Sequence, residues 1–102
     1  MILRQIAHAR SGDKGDISNI AVIAYHMEDY AYLCRLLTAS EVKRFLGAVV
    51  KGEVHRYEIP DLGALNFVLQ RTLGGGVTRS LALDAHGKCL SSVLLSMKIE
   101  ER

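Results

Sequence analysis

Glu53-Val54-His55-Arg56-Tyr57-Glu58-Ile59-Pro60-Asp61-Leu62-Gly63-Ala64-Leu65-Asn66-Phe67-Val68-Leu69-Gln70-Arg71-Thr72-Leu73-Gly74-Gly75-Gly76 is the stretch on which the fold turns. Its first half alternates, with His55, Tyr57 and Ile59 on one face, which reads as a strand over 53–59. Pro60 stops that strand because it lacks an amide proton. Asp61 can then cap a helix through Leu62, Leu65, Leu69 and Leu73, and the three glycines end it. Helices that all cover one face of a mixed sheet would make the class α+β.

Working towards the N-terminus, Val42, Phe45, Leu46 and Val49 fall at i, i+3, i+4 and i+7. Thr38-Ala39-Ser40-Glu41 stands before them as a capping box, and Gly52 follows. Residues 29–37 predict a short helix with Tyr30, Leu33, Cys34 and Leu37 on one face. Ile20-Ala21-Val22-Ile23-Ala24 reads as a buried strand, with a helix from Asp16 or Ser18 as the alternative. Residues 2–10, around Ile6 and His8, predict a first strand.

Towards the C-terminus, Val77, Arg79, Leu81 and Leu83 alternate, as do Val93, Leu95, Met97 and Ile99, with a turn at Asp84-Ala85-His86-Gly87 between them. The expected order is β-β-α-α-β-α-β-β. The expected architecture is a two-layer sandwich in which a mixed sheet carries helices on one face, in a single domain over residues 1–102.

Composition narrows the function classes. The chain has 102 residues, 49% hydrophobic and 24% charged, which suits a packed domain and argues against disorder. Thirteen Lys/Arg against eleven Asp/Glu are too balanced for a nucleic-acid binder. Cys34 and Cys89 form no metal-ligand or disulfide pattern, so reduced thiols in the cytoplasm are expected. No apolar run approaches the ~20 residues a membrane span needs, and the first residues lack a signal-peptide pattern.

Five of the nine glycines sit in two segments rich in polar residues. The first is Arg10-Ser11-Gly12-Asp13-Lys14-Gly15-Asp16-Ile17-Ser18-Asn19. Its glycines free amides to face a ligand, and Arg10 and Lys14 add charge suited to a phosphate or carboxylate. Lys14 precedes Gly15, so this is no Walker A loop. Two other readings stand beside it: a hard cation held by Asp13, Asp16 and Asn19, or a charged turn whose aspartates cap their own backbone. The second segment, Gly74-Gly75-Gly76-Val77-Thr78-Arg79-Ser80, reads as an anion nest with Arg79 or as a flexible connection. Asn66 interrupts an apolar run, so its amide meets a backbone group or faces a pocket. His8, His26, His55 and His86 show no ligand spacing. Ser11 and Ser18 have no base partner in the sequence.

Four ordered motifs carry a resemblance: Ala9 to Asp16 with Ser18-Asn19-Ile20; Arg56 to Phe67; Gly74 to Ser80; and Leu83-Asp84-Ala85-His86-Gly87-Lys88. Together they are similar to the AtuA-like family, and more closely to its small C-terminal ferredoxin-fold domain, which also occurs as a free-standing protein. Residues 26–50 are the least family-like part. The resemblance implies a ferredoxin-like fold, whose β-α-β-β-α-β order lacks the extra early strand and terminal hairpin expected above. It also implies a place in acyclic terpene utilisation, the breakdown of citronellol- and geraniol-type compounds through acyl-CoA intermediates. A larger AtuA-type N-terminal-domain protein is the implied partner, and no catalytic role comes with the small domain. The family's motif residues correspond to Arg10, Ser11, Gly12, Asp13, Lys14, Gly15, Asn19, Asn66, Gly74, Gly75, Gly76 and Arg79, the expected ligand-binding set.

Three functions follow as expectations. The first is an accessory module that works with the larger partner and binds an acyl-CoA or carboxylate group. The second is a small enzyme using Asp13, Asp16 or His8, so whether the chain is an enzyme stays open. The third is a homo-oligomerisation domain built through exposed strand edges. No cofactor or resident metal is expected.

Overall fold

The computed structural model describes residues 1–14, 17–70 and 89–100. Four strands, β1 (Ala7–Lys14), β2 (Ile17–Ala24), β3 (Val54–Ile59) and β4 (Ala64–Gln70), form one sheet in the order β1-β2-β4-β3. Among the described residues three helices accompany it: α1 (Tyr30–Leu36), α2 (Ala39–Leu46) and α3 (Cys89–Leu95). The α+β class stands, and all three described ladders are antiparallel where a mixed sheet was expected.

The decisive stretch departs from its expected form. Instead of a helix from Leu62, a single 3₁₀ turn (Pro60–Leu62) leads into Gly63, and β4 follows. Gly63 takes the left-handed conformation, φ 62°, which an L side chain adopts only at a cost. Leu65 and Leu69 fit a helical period, but Leu65, Phe67 and Leu69 fit a period of two, and all three are fully buried. A helix would have buried Leu62 as well, yet it is 65% exposed. Aromatic Phe67 and β-branched Val68 also suit the pleated sheet. Residues 71–73 and the glycine run lie outside the described residues.

Other boundaries shift for similar reasons. β1 begins at Ala7 and continues through Ser11, Gly12 and Asp13 to Lys14, so the expected loop is extended strand up to that point. Residues before it make a 3₁₀ turn (Leu3–Gln5) and a bridge from Ile2 to Lys98. β2 settles the strand-or-helix choice for 17–24 as strand. Of the capping box, the Thr38 half is present: its Oγ1 accepts from the Glu41 amide at 3.0 Å. The Glu41 carboxylate turns to Arg44 instead. Gly47, φ 60°, ends α2 ahead of Gly52, and Val49 falls in a 3₁₀ turn. The expected strand 93–99 is replaced by α3, because Leu90, Val93, Leu94 and Met97 also satisfy i, i+3, i+4 and i+7. The expected strand 77–84 and turn 84–87 lie outside the described residues.

Register sorts the sheet into two faces, since directly paired residues share a side. Ile20 pairs with Phe67, Val22 with Leu65, and Val54 with Leu69. These residues join Leu33, Leu37, Val42, Leu46 and Leu94 in one core. Burying each such side chain contributes roughly 1.5–3 kcal/mol. Arg56, also on this side, donates from Nη1 to the carbonyls of Cys34 (2.7 Å) and Leu37 (3.1 Å), tying the end of α1 to β3. Among the described residues the helices cover this face and leave the other open.

Candidate functional site

The open face is a grid of side chains whose rows run across β3, β4, β2 and β1. The middle row is Tyr57, Asn66, Ala21 and Arg10. Above it lie His55, Val68, Asn19 and Gly12; below it lie Ile59, Ala64, Ile23 and His8. Four residues expected from sequence, Arg10, Gly12, Asn19 and Asn66, therefore occupy adjacent positions on one surface although 56 residues separate the first from the last.

Their contacts form a short polar strip. Asn19 Nδ2 donates to Asn66 Oδ1 at 3.3 Å. Asn19 Oδ1 lies 3.3 Å from the point a Cβ on Gly12 would occupy, so the glycine leaves that amide room. Gly12 does this from extended backbone, since only Gly47 and Gly63 adopt positive φ among the described glycines. Its backbone belongs to the ladder opposite Asn19, not to an anion nest. Arg10 is exposed beside the strip and makes no ion pair among the described residues. This is a flat surface able to hydrogen-bond a carboxylate or phosphate through the Asn66 and Arg10 donors.

The other expected site residues separate from this group. Ser11 points to the helix side, where its Oγ donates to Ser91 Oγ at 3.2 Å and links β1 to α3. Asp13 and Lys14 take the register positions opposite Ser18 and Ile17. Gly15, Gly74, Gly75, Gly76 and Arg79 lie outside the described residues, as does Asp16 of the alternative cation site. No cluster of three or more His, Cys, Asp or Glu side chains occurs among the described residues.

Sequence reasoning passed over the aromatic and apolar part of the same face. Tyr57 is 54% exposed, and Ile59 remains accessible beside it. At the lower end Tyr25, Met27 and Leu62 are all exposed, and Tyr25 stacks on His8 with ring centroids 5.4 Å apart. The signal was available in the alternation of 53–59, but its meaning depended on reading 64–70 as a strand.

Below the face, the Tyr30 hydroxyl donates to the Ala64 carbonyl at 3.0 Å. Burial, and then a hydrogen bond with Cys34, holds this phenol above the ordinary tyrosine range. On the helix side a groove of about 400 Å³ is lined by Arg35, Leu36, Thr38, Met97 and Lys98, among others. It contains none of the residues expected from sequence, and its Glu41 already pairs with Arg44. No helix among the described residues is long and apolar enough to cross a membrane.

A family model described as the AtuA ferredoxin-like domain matches residues 1–100. No curated protein and no solved structure matches the chain.

Proposed function

Because the chain belongs to the AtuA ferredoxin-like domain family, we propose that it is an accessory binding module whose recognition surface is the open sheet face. It works beside a larger AtuA-type protein in acyclic terpene breakdown and holds an anionic group of an acyl-CoA or terpenoid acid. The observation that carries this reading is the gathering of Arg10, Gly12, Asn19 and Asn66 on one face, with the two asparagine amides bonded to each other. Arg10 supplies charge and Asn66 a directional donor, the pair of features a carboxylate or phosphate needs. A flat surface on which no acid, base and nucleophile converge among the described residues suits recognition better than turnover.

Calorimetry tests the reading, with CoA thioesters and terpenoid acids titrated into the chain alone and with the larger partner. Saturable binding is expected, and Arg10→Ala weakens it about 10- to 100-fold, the cost of losing a charge-assisted hydrogen bond. Absence of binding with the partner present, or binding indifferent to Arg10 and Asn66, overturns it.

A further inference from the structure

We infer that two copies of this chain pair through their open sheet faces, with β1 of one copy lying over β3 of the other. The inference rests on the open face being a recognition surface and names its macromolecular occupant. The face is unlike from edge to edge. Its β1 side carries the cation Arg10 and the imidazole of His8, whereas its β3 side carries His55 (3.1 Å from the Glu53 carboxylate), Tyr57 and Ile59, and the turn beyond adds the exposed Asp61 and Leu62. Each side is what the other would seek: a guanidinium over an aromatic ring, and a basic edge beside an acidic one.

That polarity selects the symmetry. A two-fold axis running across the strands would set β1 on β1 and bring Arg10 towards its own copy. An axis running along the strands sets Arg10 over Tyr57 and His8 over Ile59 of the second copy, twice over, as an isologous contact requires. Glu58 does not interfere, because it lies on the helix side and pairs with Arg56 at 2.7 Å.

Size limits the strength of such a contact. Four strands about 4.8 Å apart, averaging about seven residues at about 3.3 Å each, give roughly 450 Å² of face per copy. The pair then buries about 900 Å², below the standard specific interface, so a weak, reversible dimer is expected.

Sedimentation equilibrium without ligand, from nanomolar to high micromolar protein, reads the dimer independently of anion binding. Wild type is expected to dimerise, and Arg10→Glu to weaken the dimer about tenfold or more. A monomer throughout that range, or a dimer indifferent to both Arg10→Glu and Tyr57→Lys, overturns the inference. Circular dichroism checks whether these exposed substitutions leave the fold intact. If either variant unfolds, a short bis-maleimide linker decides the question. Arg10→Cys mixed with Tyr57→Cys should crosslink above the wild-type background and above either variant alone. Arg10→Cys linking to itself as well as to Tyr57→Cys refutes the proposed axis. Dimerisation without anion binding would leave this inference standing and remove the ligand reading.

Discussion

Replacing Gly63 by alanine gives opposite signs under the two readings of residues 60–70. Inside a helix continuing from Leu62, the change would stabilise by about 1 kcal/mol, the propensity gap between glycine and alanine. In the observed turn, Gly63 sits at φ 62°, ψ 36°, and alanine in that conformation costs roughly 1–2 kcal/mol. The new Cβ would also lie 3.2 Å from Met27 Sδ and 3.5 Å from Met27 Cε. Met27 is an exposed, flexible side chain and can yield by a few tenths of an ångström, so this contact adds little. The reduced entropy of the unfolded chain offsets about 0.4–1 kcal/mol. A net destabilisation of about 1 kcal/mol remains. Urea unfolding followed by far-ultraviolet circular dichroism should show a lower midpoint at unchanged slope. In a thermal scan the midpoint should fall by about 4–8 °C for a domain this size. Unchanged or increased stability would refute the turn-and-strand account of β4.

Three further outcomes follow from named contacts. Arg56→Met strips the Cys34 and Leu37 carbonyls of their donor and should cost about 2–3 kcal/mol in the same urea assay. The partly exposed Arg56–Glu58 pair accounts for little of that loss. For Tyr30, the folded-state pKa is raised by burial, so its contribution is fully present below the ordinary tyrosine value and is lost as pH rises through the folded one. Tyr30→Phe should flatten the alkaline limb of a stability–pH curve, and an unaltered limb would contradict the assignment. For Glu41, the Arg44 guanidinium lowers the folded-state pKa, so its contribution is present above the ordinary carboxylate value and fades as pH falls through the folded one. Glu41→Gln should remove that acid-side dependence, and added salt should shrink it in wild type.

What the sequence made legible depended on whether one period was unique. α2 carried a capping threonine and a clean i, i+3, i+4, i+7 pattern, and the structure places a helix there. Residues 54–59 alternated without a competing helical fit and form β3. In 62–73 the leucines at 65 and 69 satisfied both periods, and the deciding fact was the left-handed Gly63, which no local pattern reveals. The stretch from Leu90 to Ile99 held the same ambiguity with the opposite resolution, because Leu90 and Leu94 needed to reach the core above β1. Arg10, Gly12, Asn19 and Asn66 were each visible as polar or glycine residues in unusual places. Their shared surface was not visible, since the parity of Asn66 reverses its meaning once β4 is a strand. Tyr57 and Ile59 read as one face of a strand and Leu62 as part of a helix, and only the sheet order shows that nothing among the described residues covers them.

With recognition on the open face, an amide-resolved NMR titration with an acyl-CoA reads that surface directly. The largest shifts are predicted at the backbone amides of Gly12, Asn19 and Asn66 and at the two asparagine side-chain amides. Shifts confined to α1, α2 and residues 97–100, with the open face silent, would contradict it.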